Sequence, residues 1–212
     1  MSARGSGLRA GATVPAPAAV GFLGGTFDPP HLGHVALART ALEALGLERL
    51  VVVVVGEAPH KHVETDPETR FQLAEAAFAE LPNVELSRHE LEREGPSYTV
   101  ETARWAAARF PDPVFVVGAD EFADFLTWKN PNGVLEHARL AVATRPGHDR
   151  ETLEAVLAHV ERPDRVHLFE LEPIPIASRA VRARVARGEP IAPLVPPGVA
   201  RLIDELRLYR RA

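Results

Sequence analysis

The chain has 212 residues, of which 46% are hydrophobic and 25% charged, and its formal net charge at pH 7 is -5. The absence of cysteine excludes disulfides, thiolate zinc sites and cysteine nucleophiles, and it fits a reducing cytoplasm. The acidic balance predicts no nucleic-acid partner, because no overall positive field would attract one. No apolar run approaches the roughly 20 residues that span a bilayer, so we expect no membrane partner.

The first part of the chain differs in composition from the rest. Residues 1 to 17 predict a disordered leader, because Gly, Ala and Pro stand where a signal peptide needs an apolar block. An expression remnant would look the same. Residues 18–212 predict a single domain, whose C-terminal part from about 176 to 212 is helical.

The start of this domain predicts a βαβ unit. Ala18 to Leu23 is a short apolar run that ends at Gly24-Gly25, which indicates a strand entering a tight glycine turn. Residues 33–45 carry apolar side chains at helical spacing. Residues 50–55 are apolar and mostly β-branched, a pattern typical of a strand buried on both faces.

The alternation of strands and helices continues to the end of the chain. Further strands are predicted over 83–87, 114–117, 140–144 and 166–171. Further helices are predicted over 67–80, 99–108, 134–137, 150–160, 178–187 and 197–208. Such repetition predicts an α/β fold, a Rossmann-like doubly wound parallel sheet with helices on both faces. Ligands of these sheets bind at the carboxyl ends of the strands.

The segment Gly24-Gly25-Thr26-Phe27-Asp28-Pro29-Pro30-His31-Leu32-Gly33-His34 carries most of the chemical information. Its glycines allow a close approach of the backbone to a ligand, and its end opens a helix whose free N–H groups favour phosphate. His31 and His34 share one face of the first turn, where their rings can donate to the oxygens of a triphosphate. A structural turn followed by two surface histidines is the plain alternative.

This segment resembles the nucleotide-binding motif of the His-x-Gly-His nucleotidyltransferase superfamily, and in particular its nicotinate-nucleotide adenylyltransferase branch. Class I aminoacyl-tRNA synthetases share the histidine motif, but they are much longer. The resemblance runs from about Val20 to Tyr209. It implies adenylyl transfer from ATP to nicotinate mononucleotide, with Mg²⁺ as cofactor and no metal site made by the protein itself. Residues implied in ATP binding are Gly24, Gly25, Thr26, Phe27, His31, His34, Gly118, Asp120, Ile176, Ser178 and Arg182.

Four further segments resemble substrate-binding motifs of that family. They are Pro59-His60-Lys61, Ser97-Tyr98-Thr99, Thr127-Trp128 and Arg145-Pro146-Gly147. The resemblance implies that Lys61 and Arg145 bind the mononucleotide phosphate and that Trp128 stacks on the pyridine ring. It implies that the backbone beside Thr99 contacts the nicotinate carboxylate, and Thr127 and Lys129 are placed in the same site. Core packing for Trp128 and a loop salt bridge for Arg145 are the plain alternatives.

The segment Ile176-Ala177-Ser178-Arg179-Ala180-Val181-Arg182 matches the last family motif incompletely. The family has hydroxyl residues where this chain has Ala177 and Arg179. Ser178 and Arg182 are four apart and lie on one helical face, and Ser178 suits a helix N-cap. The resemblance implies that Arg182 stabilises the departing pyrophosphate. With His31, His34 and Lys61, it completes the expected catalytic set.

Three readings of the function stay open on the residues alone. Phosphopantetheine adenylyltransferase shares the fold and the chemistry, and a nucleotide-binding regulator without turnover would fit the altered segment. A homo-oligomer is compatible with all of them. The remaining histidines show no metal-ligand spacing, and Glu90, Glu92 and Glu94 look like a solvated edge. Glu101 is the one acidic residue near Thr99 that could face a nicotinate carboxylate.

Overall fold

The structure is a computed structural model that describes residues 19–59, 63–144, 150–172 and 174–210. Its strands are β1 Val20–Gly25, β2 Arg49–Val54, β3 Val84–Ser87, β4 Val114–Gly118, β5 Arg139–Thr144 and β6 Val166–Glu170. Its α-helices are α1 Leu32–Ala44, α2 Pro67–Phe78, α3 Thr99–Ala107, α4 Ala119–Ala123, α5 Pro131–His137, α6 Arg150–Leu157, α7 Ser178–Ala186 and α8 Pro197–Glu205. The predicted leader, 1 to 17, lies outside the described residues.

The six strands form one parallel sheet in the order β3-β2-β1-β4-β5-β6. Val20 of β1 pairs with Arg49 of β2, and Gly21 pairs with Val114 of β4 on the other side. The strand order therefore reverses at β1, which makes the carboxyl end of β1 the switch point where open α/β sheets bind ligands. The predicted fold class is confirmed.

The sheet is buried on both faces, as its apolar runs predict. In β2, Leu50, Val52 and Val54 join one hydrophobic cluster, whereas Val51 and Val53 join the other. This alternation follows from the two-residue period of a strand. The first cluster takes side chains from α1, α2, α7 and α8, and the second takes them from α3, α4, α5 and α6. No helix in the described part of the chain is long and apolar enough to cross a bilayer.

Several predicted boundaries were wrong, two of them for a local reason. Helix α5 begins at Pro131 instead of 134, because the Asn130 side chain caps it by accepting from the Gly133 N–H at 3.0 Å. Helix α6 ends at Leu157. Helix α8 ends at Glu205 instead of 208, because Arg207 takes a left-handed φ of 53°. The N–H groups of Arg207 and Leu208 return to the carbonyls of Asp204 and Ile203, which is a Schellman turn.

Candidate active site

The tight turn after β1 does not lie at the two glycines. Gly24 and Gly25 are extended and paired with Val53 and Val54 of β2, so the predicted glycine turn was wrong. The chain turns instead at residues 26–30, where Phe27 has a φ of 50° and the Asp28–Pro29 peptide bond is cis. We call residues 26–30 the β1 loop.

The two glycines are needed for space, and for two different reasons. A Cβ on Gly25 would lie 2.8 Å from the ring of Phe27, which is buried and packs edge-on against the rings of His34 and Phe78. A Cβ on Gly24 would meet nothing within 4 Å. Gly24 is exposed at the ligand end of the sheet, so a side chain there would occupy ligand space.

His31 and His34 lie together, as their spacing predicts. His31 is the N-cap of α1, and the two ring centroids are 3.8 Å apart at an angle of 30°. The backbone N–H of His31 donates to Nδ1 of His34 at 3.1 Å, and the N–H of His34 donates to the His31 carbonyl at 2.9 Å. In the neutral form, Nδ1 of His34 is therefore the acceptor, and Nε2 carries the proton as a donor.

His31 is buried against the backbone of Gly33. A Cβ on Gly33 would stand 3.0 Å from Cε1 and Nδ1 of the His31 ring, so glycine lets the ring lie flat on the helix start. Burial lowers the pKa of His31 to about 4. The His31 ring is therefore neutral at pH 7.

Two side chains of α7 hold carbonyls of the β1 loop. Ser178 Oγ donates to the Pro29 carbonyl at 2.9 Å, and Arg182 Nη1 donates to the Asp28 carbonyl at 2.5 Å. Ser178 is not the predicted N-cap, because Ala177 occupies that position and Ser178 is the first helical residue. Helix α7 is thus docked on the β1 loop through the Ser178 and Arg182 face that the sequence singles out.

Arg70 is a residue of this site that sequence reasoning missed. It is 1% exposed, yet it donates to the carbonyls of Thr26 at 3.0 Å, Val55 at 2.6 Å, Gly56 at 2.9 Å and Thr65 at 3.0 Å. Its guanidinium therefore joins the segments that follow β1 and β2. A signal existed in the sequence, because Arg70 precedes Ala74 and Ala77 at the spacing of a buried helical face.

Asp28 and Tyr209 form a second contact that the sequence did not indicate. The Tyr209 hydroxyl donates to Asp28 Oδ1 at 2.7 Å, and Arg182 Nη1 lies 3.9 Å from Oδ2 of the same carboxylate. Asp28 is 7% exposed, so these partners replace water around its buried carboxyl oxygens. No local pattern points to this pair, because 181 residues separate its members.

A cavity of about 420 Å³ begins at the end of β1 and extends along β4 towards α3. This volume lies within the range of small-molecule sites, roughly 300–1,000 Å³. Its walls combine backbone from the switch point, aromatic rings and a few charged groups. The lining includes Gly24, Gly25, Thr26, Ala58, Pro59, Glu90, Ser97, Tyr98, Thr99, Thr102, Glu121, Asp124, Trp128 and Lys129.

Trp128 lines this cavity and also packs on the core. It is half-buried, and its ring meets that of Phe125 edge-on with centroids 5.2 Å apart. Packing on the core therefore describes part of its environment, and its stacking on a pyridine ring stays a prediction. Thr127 is exposed, and its hydroxyl donates to the Asp124 carbonyl at 2.7 Å, so Thr127 itself does not line the cavity.

Thr99 lines the cavity at the first position of α3. Tyr98 is the N-cap of this helix. Ser97 Oγ accepts from the Gly56 N–H at 3.2 Å, which ties the segment before α3 to the end of β2. The first N–H groups of a helix lack intrahelical acceptors, so the start of α3 brings backbone donors to the cavity wall.

Lys129 and Glu101 pair with each other at the cavity edge. Lys129 Nζ donates to Glu101 Oε1 at 3.0 Å and lies 3.9 Å from the centroid of the Tyr98 ring. Arg93 forms an ion pair with the other carboxylate oxygen of Glu101. These hydrogen bonds lower the pKa of Glu101. The charge of Glu101 is thus compensated by two cations.

The interpretation of Glu90 as part of a solvated edge was wrong. Glu90 is 6% exposed and lines the cavity, whereas Glu92 and Glu94 are exposed. Thr102 Oγ1 donates to Glu90 Oε1 at 2.5 Å, and Oε2 has no hydrogen-bond partner among the described residues. Burial raises the pKa of Glu90. Glu90 thus lines the cavity in surroundings that disfavour the charged form of its carboxyl group.

The remaining predicted site residues have varied positions. Gly118 ends β4 and is the N-cap of α4, whose first turn carries the exposed Asp120. Ile176 is half-buried just before α7. Lys61 and Arg145 lie outside the described residues.

Metal-binding capacity at this end of the sheet is modest. Within the described ranges, no group of three or more His, Asp and Glu could hold a metal ion. Asp120 and Glu121 offer exposed carboxylates in the first turn of α4, beside the switch point. One or two carboxylates, with water and substrate phosphates, are a donor set that suits Mg²⁺.

Comparison with known proteins identifies the family of this chain. The sequence profile of the cytidylyltransferase-like family matches residues 22–184. A protein of Symbiobacterium thermophilum, named "Probable nicotinate-nucleotide adenylyltransferase", is 40% identical over 200 residues, which cover 92% of this chain and 96% of that protein. A Thermus thermophilus protein of the same name is 40% identical over 193 residues, covering 90% of this chain and 99% of its own.

Solved structures show the same fold. The nicotinic acid mononucleotide adenylyltransferase of Plasmodium falciparum, complexed with NaAD, superposes with a TM-score of 0.72 at 16% identity. The match covers 91% of this chain and 97% of that one. The chain therefore belongs to the cytidylyltransferase-like family and, within it, to the nicotinate-nucleotide adenylyltransferases.

Proposed function

We propose that this protein transfers the adenylyl group of ATP to nicotinate mononucleotide, giving nicotinate adenine dinucleotide and pyrophosphate in NAD biosynthesis. The observation that carries the proposal is the position of the end of β1. Gly24, Gly25 and Thr26 line the aromatic cavity, and the loop that follows leads directly into the His31–His34 pair. The end of β1 thus lies next to both the proposed phosphate site and the proposed site for the pyridine ring.

The reaction is an in-line displacement at phosphorus. A phosphate oxygen of the mononucleotide forms a bond to the α-phosphorus of ATP, and the bond from that phosphorus to the bridging oxygen breaks, so that pyrophosphate leaves. The attacking oxygen is already nucleophilic, so no strong base is required. Catalysis then rests on positioning and on compensation of negative charge.

The protein groups around the triphosphate divide this task. His34 Nε2–H and the neutral His31 ring donate hydrogen bonds to phosphate oxygens from the start of α1, where the helix dipole adds positive potential. Arg182, which donates to the Asp28 carbonyl in the β1 loop, stabilises the departing pyrophosphate. Lys61 and Arg145 take the phosphate of the mononucleotide, as their family motifs imply.

Mg²⁺ is the cofactor in this proposal. It would be held mainly by the triphosphate and water, with Asp120 as a protein carboxylate, and it would neutralise charge on the phosphates.

The aromatic cavity binds the pyridine half of the acceptor. Trp128 stacks on the ring, and N–H groups at the start of α3, beside Thr99, donate to both oxygens of the carboxylate. A carboxamide offers only one acceptor oxygen, so one donor would remain unpaired against the amide. Such a loss costs about 1–3 kcal/mol, which corresponds to roughly tenfold to hundredfold discrimination in kcat/KM.

One assay tests the proposal against its rivals. Pyrophosphate release is measured with ATP and Mg²⁺ in the presence of nicotinate mononucleotide, nicotinamide mononucleotide or phosphopantetheine. We expect the nicotinate substrate to give the highest kcat/KM. Turnover with phosphopantetheine alone would assign the rival transferase activity, and binding of ATP without turnover would assign a regulator. Equal kcat/KM for acid and amide would refute the carboxylate preference. We place this reaction in the cytoplasm, the compartment that a cysteine-free biosynthetic enzyme suits.

A further inference from the structure

The C-terminal segment after α8 returns to the ligand end of the sheet. The Schellman turn at Arg207 and Leu208 reverses the chain, and Leu208 and Tyr209 then pack against the same hydrophobic cluster as α2 and α8. Tyr209 itself has a left-handed φ of 60°. A tyrosine adopts this conformation only when its surroundings determine it, because its side chain strains the backbone there.

The Tyr209 hydroxyl contacts the carboxylate of Asp28 in the β1 loop. It donates to Asp28 Oδ1 at 2.7 Å, and burial raises the pKa of Tyr209, so the hydroxyl remains a donor at neutral pH. The buried Arg70 guanidinium acts electrostatically on both members of this pair. Packing alone does not require such a bond, since a phenylalanine ring would fill the same space.

Asp28 connects this hydroxyl to the arginine expected at the triphosphate. Arg182 Nη1 donates to the Asp28 carbonyl at 2.5 Å and lies 3.9 Å from Asp28 Oδ2. The Arg182 side chain is 40% exposed, so part of it is accessible to solvent while one end stays on Asp28. The carboxylate is thus fixed on one oxygen by Tyr209 and faces Arg182 with the other.

We propose that Tyr209 is a positioning residue of the nucleotide site: its hydroxyl fixes the Asp28 carboxylate, and that carboxylate sets the place of Arg182 at the triphosphate. The C-terminal segment is then part of the ATP site and not only a cover of the core. The inference rests on the proposed function for its kinetic consequences, but its binding consequence concerns ATP alone.

The test compares the full-length wild-type protein with Tyr209→Phe, which removes one oxygen and keeps the ring. Binding of a non-hydrolysable ATP analogue is measured by titration calorimetry, and kcat and both KM values are measured with ATP and nicotinate mononucleotide. We expect Tyr209→Phe to weaken analogue binding or lower kcat by roughly fivefold to thirtyfold, the range of one or two hydrogen bonds. The KM for the mononucleotide stays near the wild-type value. Arg210→Ala is the matched control, because it removes an exposed contact to Asp204 in the same segment.

A double-mutant cycle separates positioning from stability. If Tyr209 acts through Asp28 on Arg182, then Tyr209→Phe adds little to the defect of Arg182→Lys. Additive defects would overturn the proposal. So would a lowered melting temperature with unchanged analogue binding and unchanged kcat, because that result describes a purely structural tyrosine. If the wild type bound the analogue but showed no turnover, the proposed function would fail, and the calorimetric comparison would still decide the role of Tyr209.

Discussion

The backbone N–H of His31 donates to Nδ1 of His34, so the loop that enters α1 determines which nitrogen of His34 carries its proton. This bond makes Nε2 the nitrogen that carries the proton in neutral His34. The ring of His31 lies against it at 3.8 Å between centroids. The spacing of the two histidines thus sets both their common direction and the proton position of one of them.

Removal of either histidine is expected to impair the chemical step. His31→Ala and His34→Ala each lower kcat by roughly tenfold to a thousandfold, the range seen when a donor to developing charge is lost. Steady-state pyrophosphate release measures the effect, and far-UV circular dichroism confirms the fold of each variant. Near-normal turnover in a folded variant would refute the role of that histidine.

Stability at mildly acid pH depends on the burial of His31. The unfolded chain protonates this histidine near its ordinary pKa of 6.5, whereas the folded protein does so only near 4. Between these values the unfolded state binds more protons, so the free energy of unfolding falls as pH falls from 6.5 towards 4. In urea denaturation at pH 7 and pH 5, His31→Asn is expected to lose less stability than the wild type. Equal losses would show that His31 protonates alike in both states.

Substitutions of the two glycines at the end of β1 are expected to affect different properties, KM at one position and stability at the other. Gly24→Val places its side chain in open space, so we expect an unchanged melting temperature and a raised KM for substrate. Gly25→Ala meets the buried Phe27 ring at 2.8 Å, so its main effect is a loss of stability, typically about 1–3 kcal/mol for an overpacked site. Thermal unfolding and kinetics on the same samples separate them. A reversed pattern would contradict the assignment of Gly24 to the ligand face.

The two arginines of α7 differ in their contacts. Arg182 binds the Asp28 carbonyl, whereas Arg179 is exposed and makes no side-chain hydrogen bond or ion pair within the described ranges. Arg182→Ala is therefore expected to reduce kcat at least roughly tenfold more than Arg179→Ala, as loss of a clamp on phosphate charge does. Parallel kinetics of both variants provide the measurement. The opposite ranking would mean that the site has been rebuilt around Arg179.

Local sequence was sufficient to predict those features of this protein that depend on interactions between residues close together in the chain. The apolar, β-branched run of β2 predicted a strand buried on both faces, because side chains alternate across a strand. The spacing of His31 and His34 predicted their shared face, and the position of the glycine motif after the first strand located the ligand end. The resemblance of these motifs to a known family then indicated the chemistry.

The remaining features were decided by tertiary structure. The glycines looked like turn residues, but the Phe27 ring and the ligand space explain them. Glu90 looked solvated until the packing of α3 placed Thr102 against it. Tyr209 meets Asp28 across 181 residues, and Arg70 donates only to backbone carbonyls from three separate segments. The period of the apolar residues does not indicate the partners in such contacts, because the partners depend on which strand ends lie side by side in the sheet. Burying a polar group without a hydrogen-bond partner is costly, so these contacts form once the fold brings the groups together.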